Sequence, residues 1–119
     1  MDSISLLKIG DILIVPLTMT MALHDKMAVG LQEEILKKIY ETRARGLLID
    51  VTTVTVVDSF MGRLLSDTAA MAMTMGVKTV LVGIQPHIAI TLQEMGLELK
   101  GIRTALNLER GIMLLQNRG

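Results

Sequence analysis

The chain has 119 residues, half of them hydrophobic, and its twelve Lys and Arg are balanced by twelve Asp and Glu. That length fits one domain, residues 1–119, able to bury a core without staples, and a net charge of zero with no basic stripe argues against nucleic acid as a partner. Without cysteine there is no disulfide, thiol chemistry or zinc–thiolate site, and the well-separated His24 and His87 argue against a metal centre.

Phe60 and Tyr40 are the aromatic residues, so the core falls to Leu, Ile, Val, Ala and ten Met. No apolar run approaches the length of a membrane-spanning helix, and the N-terminus lacks a basic segment followed by an apolar one. A cytoplasmic location, away from the membrane, is the expectation.

Taken in order, Ile4–Ile9 alternates loosely, Gly10-Asp11 offers a turn, and Ile12–Leu17 is a second apolar run. Two strands joined as a hairpin are predicted, the second ending at Pro16, which cannot donate to a ladder. Thr18–Leu23 follows neither period and reads as a loop, with Met19 and Met21 either closing over the core or forming a contact surface.

Asp25 is the expected N-cap of an amphipathic helix running to about Ala44. Its apolar stripe is Ala28, Leu31, Ile35 and Ile39, widened by Leu36 and Tyr40. Glu33–Lys37 and Glu34–Lys38 stand at favourable i,i+4 spacing on a solvated face, and Gly46 is the expected stop.

Leu47–Val51 suits a strand buried on both faces, and a turn with Thr52, Thr53 and Thr55 follows. Asp58 then offers an N-cap for a helix from Ser59 to Met75, whose stripe is Met61, Leu64, Leu65, Thr68, Ala69, Met71, Ala72 and Met75. Gly76 ends it. Val77–Ile84 reads as a buried strand, and Pro86 opens a third helix, with Gln85 just outside, that stops at Gly96. Ile102–Ala105 is a further strand, and Asn107 caps a terminal helix over Leu108–Gln116. The order ββαβαβαβα predicts an α/β domain with a mixed, mostly parallel sheet and about four helices.

The chemistry on offer is narrow. Glycine patterns of Rossmann and phosphate-loop sites are absent. Asp50 ends a buried strand as a receiver aspartate would, but the companion acids and late lysine are missing, so Asp50 is expected to hydrogen-bond the threonine turn. Ser59, in Val57-Asp-Ser-Phe-Met61, has no neighbouring base and is a poor nucleophile. It is a good phosphoacceptor, because the free N–H groups and positive dipole of a helix start tolerate an anion. Arg63, four residues on, can reach a phosphate there or pair with Asp67. Without a phosphate, Ser59 is simply a serine at a helix start.

Leu48-Ile-Asp-Val-Thr-Thr-Val-Thr-Val-Val-Asp-Ser59 resembles the strand, loop and Asp-Ser of the STAS family, the sulfate transporter and anti-sigma factor antagonist domains, over essentially the whole chain. Asp58-Ser-Phe-Met-Gly-Arg-Leu-Leu65 departs from the Asp-Ser-Ser-Gly-Leu-Gly of single-partner anti-anti-sigma proteins and looks more like the RsbS type of stressosome scaffold. Leu23-His-Asp25, Gly83-Ile-Gln-Pro86, Ala89-Ile-Thr-Leu92 and Thr104-Ala-Leu-Asn-Leu108 resemble stressosome STAS domains as well.

The resemblance implies a non-enzymatic phospho-switch with no cofactor. Ser59 would be phosphorylated by an RsbT-type serine kinase that the unmodified protein holds, and a phosphatase would reverse the modification. Asp58, Ser59, Phe60 and Arg63 would form the partner-binding face. An RsbR-type STAS co-antagonist would join this chain in a large stressosome particle. The alternative is a direct anti-anti-sigma factor that binds an anti-sigma kinase as a small soluble complex.

Overall fold

The computed structural model describes residues 6–19, 24–96 and 101–116. In chain order these form β1 (Leu7–Ile9), β2 (Ile12–Pro16), α1 (Asp25–Thr42), β3 (Gly46–Asp50), α2 (Ser59–Thr74), β4 (Lys78–Val82), α3 (Pro86–Glu94), β5 (Ile102–Ala105) and α4 (Leu108–Gln116). The expected order is reproduced. One sheet contains all five strands in the sequence β1-β2-β3-β4-β5, with β1 antiparallel to β2 and every later pairing parallel.

This strand order decides where the helices go. Successive parallel strands are added on the same side each time, and crossovers in such sheets are right-handed almost without exception. Three crossovers in the same direction therefore place α1, α2 and α3 on one face. The main core shows this: Leu13, Val15, Leu47, Ile49 and Leu81 meet Leu31 and Ile35 of α1, Met61 and Ala72 of α2, and Ile88 and Leu92 of α3. The alternate strand residues Ile12, Ile14, Leu48, Val80 and Val82 face the other way, where Leu115 of α4 covers them. That helix approaches closely because it carries Gly111. A Cβ there would lie 2.6 Å from Val82 Cγ2 and 2.9 Å from Leu48 Cδ1.

Several local expectations shift. His24, not Asp25, is the N-cap of α1, and its side chain makes no capping bond. The helix stops at Thr42 because Arg43 adopts the left-handed conformation, with φ 56°. Gly46 instead begins β3, where its missing side chain leaves room for Leu115. Tyr40 does not widen the buried stripe; it is 79% exposed. Met71 and Met75 are also exposed, so the inner face of α2 narrows to Met61, Gly62, Thr68, Ala69 and Ala72, with Leu64 and Leu65 half-buried. On the outer face of α1 the ion pair joins Lys38 and Glu41 at 3.9 Å, in place of the expected i,i+4 pairs.

Met19 carries helical backbone and packs against the main core, whereas Met21 lies outside the described residues. No helix among the described residues is long and apolar enough to cross a membrane.

Thr79 gives a stability test. It stands opposite Leu47 in the β3–β4 ladder and is 2% exposed, and its hydroxyl has no hydrogen-bond partner. A buried, unsatisfied hydroxyl costs more than the methyl group that would replace it. Thr79→Val should therefore stabilise the fold by about 1 kcal/mol, read as a higher denaturant midpoint at unchanged slope.

Candidate functional site at the carboxyl ends of the strands

The segments that follow β2, β3 and β4 converge at the carboxyl edge of the parallel sheet, where α/β folds commonly place their sites. Leu17 N–H donates to the Asp50 carbonyl at 2.9 Å, and Val51 N–H donates to the Val82 carbonyl at 2.9 Å, so the three strand ends are tied together. Asp50 then turns the chain. One of its carboxylate oxygens accepts from the Thr52 N–H at 2.9 Å and from the Thr52 hydroxyl, as expected for a turn residue.

From Val51 to Val57 the chain has no ladder to join, yet it is held. Val51, Val54 and Val57 are buried, while Thr52, Thr53, Thr55 and Val56 between them are exposed. A valine every third residue pins this loop to the core, a pattern visible in the sequence but hidden there by the alternating threonines. Behind it, Gly83 at φ +74° lies against Thr52; a Cβ at position 83 would be 3.2 Å from the Thr52 Cα.

Asp58 caps α2 as expected: its carboxylate accepts from the Met61 N–H at 2.8 Å. Ser59 is therefore the first helical residue, and it is exposed. Its chain neighbour Phe60 is 38% exposed and Val56, three residues before it, is 55% exposed, so apolar side chains stand open to solvent in the same stretch. Arg63 is exposed one turn further along, and it has no ion-pair partner among the described residues, so the pairing with Asp67 does not form. All four candidate residues thus lie at or within one turn of the start of α2.

Two contributors from elsewhere were not singled out from the sequence. Gln85 Nε2 donates to the Thr52 carbonyl at 3.2 Å, and His87 Nε2 lies 2.8 Å from the Thr55 carbonyl. They are more than 30 residues from their partners, and no local pattern signals such a contact. Among the described residues no three His, Asp or Glu side chains gather as metal ligands.

Comparison with known proteins agrees with this architecture. The profile of the STAS domain matches residues 3–110. The chain is 30% identical over 102 residues to the RsbT co-antagonist protein RsbRA of Bacillus subtilis (strain 168), a match spanning 86% of this chain and 36% of that protein. A serine-to-glutamate variant of RsbS from Moorella thermoacetica shares 39% identity and superposes with a TM-score of 0.87, covering 98% of this chain and 97% of that one. A chain from a solved structure of the stressosome, described as a signal integration and transduction hub, shares 40% identity with a TM-score of 0.83, covering 95% and 96%. With the sheet order, the Asp-Ser helix start and these matches together, the chain belongs to the STAS domain family and is similar in sequence and structure to stressosome proteins of the RsbS type.

Proposed function

We propose that this chain is a stressosome scaffold and anti-sigma factor antagonist that holds an RsbT-type serine kinase until Ser59 is phosphorylated. The observation that supports this best is the state of Ser59: exposed, at the first position of a capped helix, flanked by the exposed apolar residues Val56 and Phe60. Such a hydroxyl is open to another protein's active site. It has no base beside it to act as a nucleophile on its own account, so the chain is a substrate and binder, not an enzyme.

Phosphorylation adds about −1.5 to −2 charges and three strong acceptor oxygens. The free N–H groups at the start of α2, and Arg63, which has no ion-pair partner among the described residues, would receive part of that charge. A phosphatase acting on phospho-Ser59 resets the switch. The similarity to RsbRA, itself described as an RsbT co-antagonist, supports a mixed particle in which an RsbR-type STAS protein co-assembles with this chain.

Light scattering after size exclusion tests the scaffold role. Mixed with an RsbR-type co-antagonist, the chain should enter a particle far larger than a dimer. A monomer or dimer in every mixture would instead favour a direct anti-anti-sigma factor in a small complex.

A further inference from the structure

The strongest feature outside the Asp58–Arg63 face is the way α3 grips the loop that leads to it. The described residues at the start of that helix break a local rule. Gln85 occupies the N-cap position of α3, yet its side chain makes no capping hydrogen bond. It reaches instead to the Thr52 carbonyl. His87, one residue beyond the Pro86 that opens the helix, also turns away from its own helix and meets the Thr55 carbonyl. A carbonyl oxygen can only accept, so His87 Nε2 carries the proton in this contact.

Thr55 is held from its other side as well. Its N–H points at the thioether of Met19, with 3.1 Å between nitrogen and sulfur. An exposed loop residue would ordinarily give both backbone groups to water. Here both are taken by side chains, one from the segment after β2 and one from α3. Thr55 lies three residues before the cap Asp58 and four before Ser59. Three side chains from two distant segments that converge on the backbone of Thr52 and Thr55 mark a place where geometry, more than local stability, is being set.

We infer that His87 is a positioning residue for phosphorylation of Ser59: by clamping the Thr55 carbonyl, with Gln85 on Thr52 and Met19 on the opposite side, it presents the Ser59 hydroxyl to a kinase in one fixed geometry. This rests on the phospho-switch reading above. The physical reason is the near-attack requirement. A hydroxyl must sit within about 3–3.5 Å of the phosphorus and in line with the leaving group, and a displacement of about 1 Å costs on the order of a hundredfold in rate. Val54, Val57 and Met61 anchor the loop and the helix start to the core, so the clamp has only to fix the exposed backbone between them, and its loss should shift the Ser59 hydroxyl by a fraction of that distance. A binding partner that touches Phe60 and Val56 feels this less than the chemical step does. The clamp therefore acts on kcat more than on KM.

The full chain is compared with His87→Ala, His87→Gln and Gln85→Ala, using a purified RsbT-type kinase and ATP. Glutamine places its amide nitrogen the same number of bonds from the backbone as His Nε2, so it restores the donor without the ring. His87→Ala should lower kcat for Ser59 phosphorylation about tenfold or more with KM little changed, and His87→Gln should recover most of it. Gln85→Ala should give a smaller loss in the same parameter, which keeps the test sound if His87→Ala proves too unstable to assay. Amide exchange over residues 52–58 should quicken in His87→Ala and return in His87→Gln. The ring nitrogen shifts of His87 in the parent protein should show the Nε2–H tautomer.

Normal phosphorylation of the parent with unchanged kcat in His87→Ala would overturn the clamp and leave the switch standing, as would failure of His87→Gln to rescue a folded His87→Ala. No phosphorylation of the parent at Ser59 by any such kinase would bring down the switch reading, and the clamp's role in it, together.

Discussion

Ser59→Ala is expected to bind the switch kinase as tightly as the unmodified protein and to keep it bound through incubation with ATP. Phosphorylated protein should bind at least tenfold more weakly, a loss of about 1.4 kcal/mol or more. Within the free domain the phosphate should be well tolerated. It sits at the start of α2, where the helix dipole contributes about 0.3–1 kcal/mol in its favour against repulsion from Asp58. Under a docked partner the balance reverses. The exposed stretch around Ser59 includes the apolar Val56 and Phe60 and the acidic Asp58, and burying a dianion there without a new cation costs far more than the dipole returns.

Binding should therefore change while stability hardly does. Ser59→Asp carries less charge than phosphoserine and should fall between the two forms. Calorimetric titration of the kinase into all four proteins, with parallel thermal melts, separates the possibilities. Equal affinity before and after phosphorylation would reject the switch, and a large drop in melting temperature would mean that it works by unfolding.

Gly83→Ala should be the most damaging small substitution at the site. Two costs coincide there. The left-handed backbone, φ +74°, penalises any residue with a Cβ by about 1–2 kcal/mol. The new Cβ would also stand 3.1 Å from the Thr52 Cβ and closer still to its hydroxyl, and relieving such overpacking costs about 1–3 kcal/mol more. Gly96→Ala supplies the control: it shares φ +74° but meets nothing within 4 Å among the described residues, so it isolates the backbone term. Denaturant midpoints of the two variants should differ by the steric cost alone.

Thr52 is also the residue that Asp50 and Gln85 hold, so moving it should loosen the whole path to Ser59. Gly83→Ala should thus lose phosphorylation rate beyond what its stability explains, whereas Gly96→Ala should not. Equal stability and equal phosphorylation in the two variants would show that the Gly83–Thr52 contact carries no constraint.

The elements that could be read from the sequence were those held by neighbours in the chain. Asp58 capping Met61, Asn107 accepting from the Arg110 N–H at 2.9 Å, and Pro86 opening α3 are interactions across three residues or fewer, and residue type alone announces them. The strands and the inner stripe of α1 followed from the period of apolar residues, and Asp50 met its threonine turn two residues on. From these the order of elements and the position of Ser59 at a helix start were already determined.

Other features depended on residues distant in sequence. Gly46 looked like a helix stop but is the clearance for Leu115, nearly 70 residues later. Tyr40, Met71 and Met75 fit the helical period, yet they remain exposed, because how wide a stripe is buried depends on what packs against the helix and not on the period. The placing of three helices on one face and one on the other came from strand order and crossover handedness, neither of which is written in any local pattern. The grip of Met19, Gln85 and His87 on the Ser59 loop exists because parallel strands bring their carboxyl ends to one edge. The chain gathers there residues that its sequence keeps apart.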